Sequence, residues 1–364
     1  MKTKKHNGVI SIWKFIFAIC ILLHHTKYIA PTKDVVMEHM AIGVEFFFIV
    51  SGFLLAVSAL NKKSSGKGVI SETWSYIFNK IRKVYPHVLI GSLLFLVIAI
   101  LKDSHNLYTW ILSLWSFTLV HVNGLGNFII NTPVWYISAM LLAMLIIYPF
   151  IRKYKTKYSR YIAPVIVIFL SGIMYRNYHT LHNWSTWIGF CYYGTLRAFL
   201  SINIGIVLYE ICEKIKKINF TFFARFLLTI TEISLLTTSI LAQEFLEKGR
   251  KLDFFWLLFF AVGILIAFSE KTLFYKACCN KFFYYLEKLS LPIYLNQLAV
   301  LWAIGYFNFF NRFTYTQNIL ISIGITIYIS IYSLKLVDLW DKYKDKILGF
   351  LKKLIIKNEE IKEN

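Results

Sequence analysis

Ten apolar runs make up most of this chain, and each is long enough, or nearly so, to cross a membrane as a helix. The hydrocarbon core of a bilayer takes about 20 mostly apolar residues in helical form. Helices satisfy their backbone hydrogen bonds internally, as lipid requires. We therefore predict an all-α polytopic membrane protein of about ten transmembrane helices. The predicted spans are 9–29, 41–60, 84–101, 133–151, 161–175, 192–212, 223–242, 254–269, 285–306 and 316–336.

The composition agrees with a chain that is surrounded mainly by lipid. Of the 364 residues, 57% are hydrophobic and 16% are charged, whereas soluble domains carry about 25% charged residues. A formal charge of +21 would suggest nucleic acid in a soluble protein. Here the basic residues lie in short segments between apolar runs, so we expect a lipid partner and no nucleic acid. The five cysteines show no metal-ligand spacing, so we expect no metal.

The distribution of basic residues predicts the orientation. Cytoplasmic segments of membrane proteins are enriched in Lys and Arg. With both termini in the cytoplasm, the inside segments hold 30 of the 40 Lys and Arg, and the outside segments hold 8. The stretch 108–121 is short and partly polar, and a span there would move the basic segment 152–160 outside. We therefore predict a re-entrant or interfacial helix at 108–121.

Two regions follow from these boundaries. Residues 1–336 are predicted to form one transmembrane domain. Residues 337–364 alternate apolar and charged side chains and are predicted to form a cytoplasmic amphipathic tail on the membrane surface.

Ionisable side chains inside the predicted spans are candidates for function, because a charge in lipid is unfavourable. His25 lies near the outer end of the first span, and Glu45 lies at matching depth in the second. A carboxylate beside an imidazole fixes its tautomer, as a general base requires. The alternative for His25 is a packing residue at a helix end.

A basic cluster precedes the third span. Lys80, Arg82 and Lys83 lie just before Tyr85. These residues either anchor the helix at the cytoplasmic surface of the membrane or, with Lys14, form a positively charged entrance that binds phosphate groups.

Arg197 lies inside a predicted span and must pair with a carboxylate or line a cavity. A packing ion pair and a substrate contact are both open. The outer loop 176–190 is rich in aromatic, His and Asn side chains. Such a loop suits the faces of sugars or forms an interfacial aromatic belt.

The chain resembles the bacterial membrane-bound acyltransferase-3 family, whose members transfer acyl groups to sugars of cell-surface polysaccharides and related acceptors. Five motifs in the expected order carry the resemblance, and together they cover nearly the whole chain. They are Lys14 eleven positions before His25; Gly43, Val44, Glu45, Phe46 and Phe47 followed by Ser51, Gly52 and Phe53; Lys80, Lys83, Val84, Tyr85 and Pro86; Pro133, Val134, Trp135 and Tyr136; and Ser290, Tyr294 and Leu295.

Some positions depart from the family pattern. Ser11 stands where the family usually has an acidic residue, and Gln297 stands where it often has histidine. Lysine replaces arginine at positions 14, 80 and 83, which keeps the charge but loses the bidentate fork.

The resemblance implies an O-acetyltransferase of the bacterial plasma membrane that uses acetyl-CoA as co-substrate and acylates a glycan or other hydroxyl acceptor. The thioester would enter from the basic, cytoplasmic side, and His25, oriented by Glu45, would deprotonate the acceptor. The implied donor-binding residues are Lys14, Lys80, Arg82, Lys83 and Tyr85, and the implied acceptor-binding residues are Trp135, Arg197 and Tyr294.

Two other classes of protein compete with this reading. A transporter or flippase would also place charged residues inside the membrane. A non-catalytic membrane scaffold is the second alternative, but it would not explain why His25 and Glu45 lie at matching depth.

Overall fold

The structure, a computed structural model, describes residues 6–29, 40–63, 66, 68–102, 114–119, 131–245, 252–308 and 312–363. Eleven α-helices lie in these ranges, and short 3₁₀ turns extend α1 at Thr26–Ile29 and precede α2 at Met40–Ile42. The helices are α1 Gly8–His25, α2 Gly43–Asn61, α3 Val69–Lys102, α4 Val134–Tyr154, α5 Ala163–Tyr178, α6 Tyr193–Ile215, α7 Phe222–Phe245, α8 Asp253–Phe268, α9 Tyr275–Cys278, α10 Lys281–Tyr306 and α11 Tyr315–Glu363. A two-residue hairpin pairs β1, Trp187–Ile188, with β2, Cys191–Tyr192.

The predicted fold class is confirmed. Each of the ten predicted spans corresponds to a helix, and nine helical segments of the described chain are long and apolar enough to cross a membrane. The tenth, α8, has 16 residues and is therefore about 24 Å long at 1.5 Å per residue.

Two helix boundaries differ from those of the predicted spans. Helix α3 begins at Val69, well before position 84, so the basic cluster lies within a helix of 34 residues. Helix α11 continues through the predicted boundary at 336 without a break. Of the predicted re-entrant helix at 108–121, the structure describes a 3₁₀ turn at Leu114–Thr118 and the following residue, Leu119. Residues 108–113, 120 and 121 lie outside the described residues.

The chain alternates between two ends of the bundle. At the Asn7 end, the Asn7 amide donates to the carbonyl of Ala267 at 3.0 Å, which places the end of α8 beside the start of α1. At the opposite, His25 end, the hydroxyls of Thr26 and Tyr315 lie 3.2 Å apart, so α11 starts beside the end of α1.

The core of the bundle is built on two close helix contacts. Helix α2 packs most extensively on α6, and α10 packs against α1, α3 and α11. A Cβ on Gly52 would lie 2.0 Å from the carbonyl oxygen of Ile202, and one on Gly205 would lie 2.0 Å from that of Ile49. Only glycine permits this approach, because any side chain would overlap the neighbouring backbone. The result is a close approach of the two backbones near the middle of α2 and α6.

Candidate active site

The first turns of α2 and α6 carry a buried ion pair. Arg197 donates from Nε and Nη2 to the two carboxylate oxygens of Glu45, both at 2.8 Å. Glu45 is 0% exposed and Arg197 is 3% exposed. Two parallel charge-assisted hydrogen bonds offset part of the loss of solvation that each charge suffers. The buried partner of Arg197 is therefore Glu45.

The predicted contact between Glu45 and His25 is wrong. Both oxygens of Glu45 bind Arg197, and the His25 ring instead stacks on Tyr28, with centroids 6.0 Å apart. A bidentate guanidinium satisfies a buried carboxylate more fully than one imidazole nitrogen does.

Gln297 of α10 is the polar side chain beside the His25 ring. Its Nε2 donates to the carbonyl of Tyr294 at 2.9 Å, which sets the orientation of the amide. Nδ1 of His25 and Oε1 of Gln297 are both buried and have no hydrogen-bond partner among the described residues. An imidazole that carries its proton on Nδ1 has a donor at that atom, and the amide oxygen of Gln297 is an acceptor.

His25 opens into a cavity of about 170 Å³, here named the His25 cavity. Helices α1, α2, α4, α6 and α10 contribute to its wall, together with the loop after α5. Its lining residues are Ile21, His24, His25, Lys27, Tyr28, Ala41, Val44, Thr132, Pro133, Trp135, His182, Trp184, Arg197 and Tyr294.

Aromatic rings form one wall of the His25 cavity. Trp135 and Trp184 stack at 5.3 Å with 13° between their planes, and the Arg197 guanidinium lies 5.1 Å from the Trp135 ring. The backbone amide of Leu181 donates to the Asp253 carboxylate at 2.6 Å, which ties the loop to α8. Two residues of loop 176–190, His182 and Trp184, therefore line the His25 cavity.

A second cavity of about 230 Å³, here named the Lys14 cavity, lies on the side of the Asn7 end. Most of its wall is apolar, with a few polar or charged groups. It is lined by Lys14, Val44, Phe47, Val50, Ser51, Leu54, Lys80, Val84, Tyr136, Ile137, Met140, Glu287, Ser290, Leu291 and Tyr294.

Lys14 forms an ion pair with Glu287 of α10. The other oxygen of Glu287 accepts a hydrogen bond from Ser11 at 2.8 Å and lies 3.2 Å from Nδ1 of His6. Burial lowers the pKa of His6, against the attraction of Glu287. The acid that the family places at position 11 is thus supplied here from another helix.

The predicted donor-binding residues separate into two groups. Lys14 and Lys80 both line the Lys14 cavity. Arg82 and Lys83 are exposed on α3, and Tyr85 packs half-buried against the core. A helix of regular 3.6-residue period cannot direct all four side chains of the cluster to one cavity.

The two cavities share Val44 and Tyr294 in their walls. Tyr294 is fixed by its hydroxyl, which donates to the carbonyl of Pro133 at 2.8 Å. These two side chains therefore form the boundary between the His25 cavity and the Lys14 cavity.

Sequence reasoning missed two contributors to the site. Glu287 lies inside the predicted span 285–306, and an acid inside a span is itself a signal of function or pairing. Gln297 was noted only as a departure from the family, although a buried amide also needs partners. Glu232 is another acid inside a predicted span, and it accepts a hydrogen bond from Trp13 at 2.7 Å.

Removing either partner of the Glu45–Arg197 pair leaves a buried charge, so Glu45→Leu or Arg197→Met should lower the free energy of unfolding by about 3–5 kcal/mol. The double variant Glu45→Leu/Arg197→Met should lose clearly less than the sum of the two single variants. Unfolding of the purified protein in detergent measures all three. Additive losses, or a loss under about 1 kcal/mol in each single variant, would show that the pair does not stabilise the bundle.

Comparison with known proteins agrees with this architecture. The family model of the acyltransferase-3 family, described as an acyltransferase domain, matches residues 7–335. No curated protein and no solved structure matches the chain. The matched residues include both cavities and the Glu45–Arg197 pair. The chain therefore belongs to the acyltransferase-3 family of multi-pass membrane acyltransferases.

Proposed function

We propose that this protein moves an acetyl group from acetyl-CoA to a hydroxyl of a cell-surface glycan or its lipid-linked precursor. The Asn7 end and both termini would lie in the cytoplasm of a bacterium, and the His25 end would face outward across the plasma membrane. One observation carries the proposal. The two cavities approach from opposite ends of the bundle and meet at Val44 and Tyr294.

The Lys14 cavity suits the donor. Its largely apolar wall matches the pantetheine arm of CoA, while Lys14 and Lys80 offer cations to phosphate groups. Arg82 and Lys83 are exposed on the same helix as Lys80. They would contact the more distant phosphates of the nucleotide, which remains outside the cavity.

His25 would act as the general base. Its Nε2 takes the proton of the acceptor hydroxyl while the oxygen attacks the thioester carbonyl. The carbon–sulfur bond then breaks, and the imidazolium returns the proton to the CoA thiolate. The products are an acetyl ester and CoA, so no further reactant is required.

Gln297 takes the positioning role first assigned to Glu45. If Nδ1 of His25 donates its proton to Oε1 of Gln297, both buried atoms gain a partner. The lone pair of Nε2 is then available for the acceptor. Glu45 instead holds Arg197, whose guanidinium lines the His25 cavity and lies over Trp135.

The pairing of charges favours an enzyme over a transporter. Glu45 binds Arg197, Glu287 binds Lys14, and Glu72 binds Arg152 at 2.5 Å. Each pair is held by a direct hydrogen bond. They therefore connect helices to each other and do not form a series of exchangeable sites along one path.

Replacing the base should abolish transfer and leave donor binding intact. We expect His25→Ala to lower the rate of acetyl transfer by at least about 100-fold, since a positioned base contributes about 10²–10⁴-fold. Acetyl-CoA should still raise the thermal stability of this variant as it does for the unaltered protein. Transfer of radiolabelled acetyl from acetyl-CoA to cell-envelope glycan measures the rate.

His179→Gly is the matched control. His179 lies at the end of α5 with a φ of 57°, which glycine adopts readily, and it lines neither of the two cavities. Its rate should equal that of the unaltered protein. Transfer by His25→Ala at the unaltered rate would exclude the proposed chemistry.

Removing the amide of Gln297 should alter the titration of the base as well as its orientation. We expect Gln297→Leu to lower kcat and to move the acidic limb of the kcat profile against pH, because that limb reports the base. Gln297→His, which restores a ring donor and acceptor, should recover part of the rate. Asn296→Ala, whose amide binds Ser330 and Ser333 instead, should lower stability only. An unmoved pH profile in Gln297→Leu would remove Gln297 from this role.

A further inference from the structure

An acid lines the cavity that the proposed function assigns to an anionic donor. Glu287 of α10 is one of the lining residues of the Lys14 cavity, and its carboxylate forms an ion pair with the Lys14 ammonium. The two charges of this pair sum to zero, so the pair by itself offers a phosphate group little net attraction. A second cation on Glu287 would give the group one net positive charge.

His6 is that second cation when it is doubly protonated. Its Nδ1 lies 3.2 Å from Oε2 of Glu287, whereas Lys14 binds the other carboxylate oxygen. Nε2 of His6 lies 3.1 Å from the Ser11 hydroxyl, and that hydroxyl lies 2.8 Å from the same Oε2. The Ser11 hydroxyl also lies 3.1 Å from the carbonyl oxygen of Asn7. His6, Ser11 and Glu287 therefore form a closed triangle of three short contacts, here named the His6 triangle.

The His6 triangle has room for three protons, one in each contact. A carboxylate oxygen only accepts, a hydroxyl has one proton to donate, and a neutral imidazole has one N–H group. A neutral His6 therefore supplies, with Ser11, two protons for three contacts, and one contact is left between two acceptors. An imidazolium carries N–H groups on both nitrogens. Each of the three contacts then contains one proton, so the geometry fits the charged form of His6.

Neighbouring groups set the pH range in which His6 takes up this proton. Burial lowers the pKa of His6, the Glu287 carboxylate acts against that effect, and the Lys14 ammonium adds to it. The Tyr284 ring of α10 lies edge-on to the imidazole at 5.1 Å between centroids. In the turn before α10, the Cys279 thiol donates to the backbone carbonyl of His6 at 3.1 Å. The second proton therefore binds on the acidic side of neutrality.

We propose that His6 is a positioning residue of the donor site, which takes up a proton when an anionic donor binds and so compensates the charge of Glu287. The imidazolium holds Oε2, and the Lys14 ammonium on the other oxygen then interacts more strongly with a phosphate group of the donor. The donor and the proton strengthen each other's binding, since such a coupling acts in both directions. This inference rests on the proposed function and adds a residue to its donor site.

The probe dephospho-CoA tests the role of His6. It keeps the pyrophosphate and the pantetheine arm of the donor but lacks the monoester phosphate, which itself titrates at about pH 6. The purified full chain in lipid nanodiscs is titrated with this probe by calorimetry from about pH 8 to about pH 5, the range in which histidine titrates. We expect the dissociation constant to fall by at least about fivefold over this range. Titrations in two buffers of different ionisation enthalpy should show proton uptake near the midpoint of the change.

Three variants locate the effect. His6→Gln should remove both the change with pH and the proton uptake. His179→Gly removes a histidine that lines neither cavity, and this control should keep both. Ser11→Ala deletes the hydroxyl of the His6 triangle, so a neutral ring can satisfy its one remaining contact with Glu287. In this variant the change should move to lower pH.

The outcomes separate the role of His6 from the function on which it rests. An unchanged pH dependence in His6→Gln, or binding to the unaltered protein without proton uptake, would overturn the role of His6 and leave donor use intact. An unmoved midpoint in Ser11→Ala would contradict the hydrogen bonds of the His6 triangle. If neither acetyl-CoA nor dephospho-CoA bound at any pH, the acetyltransferase would be overturned, and this inference with it.

Discussion

The buried pair of Glu45 and Arg197 is the interaction on which the rest of the site depends. Neither charge is stable alone at this depth, so the first turns of α2 and α6 must stay together. The glycine contact between Gly52 and Gly205 lets the two backbones come close enough for the bidentate geometry. The fixed guanidinium then lies over Trp135 and helps to shape the His25 cavity. The ion pair that stabilises the contact between α2 and α6 therefore also forms part of the wall of the His25 cavity.

Under the proposed function, division into two cavities would serve a chemical purpose in the transfer of an acyl group across a membrane. A thioester exposed to water on both sides would be open to hydrolysis, and a closed site excludes that side reaction. Val44 and Tyr294 separate the cavities, and the hydroxyl of Tyr294 is held by a backbone carbonyl of the loop before α4. The boundary is thus formed by side chains of α2 and α10.

Hydropathy predicts the helices of this chain well because lipid requires long apolar runs and internal backbone hydrogen bonds. The sequence also made His25 and Arg197 candidates for function, since an ionisable group inside a span needs a partner or a cavity, and the structure places both in the lining of the His25 cavity. It paired His25 with Glu45 wrongly because depth along a helix gives no information about the face from which a side chain projects. The role of Glu287 was missed because it depends on α10 packing against α1, a contact between residues more than 270 positions apart.

The central claim is that donor and acceptor reach one imidazole from opposite ends of the bundle. Its most direct test uses proteoliposomes in which every molecule has the same orientation, established from the accessibility of a C-terminal tag. Radiolabelled acetyl-CoA is confined to one side of the membrane and the acceptor to the other. The account predicts acetyl transfer when the donor is on the side of the Asn7 end and none when the two are exchanged. Equal transfer in both arrangements would contradict it.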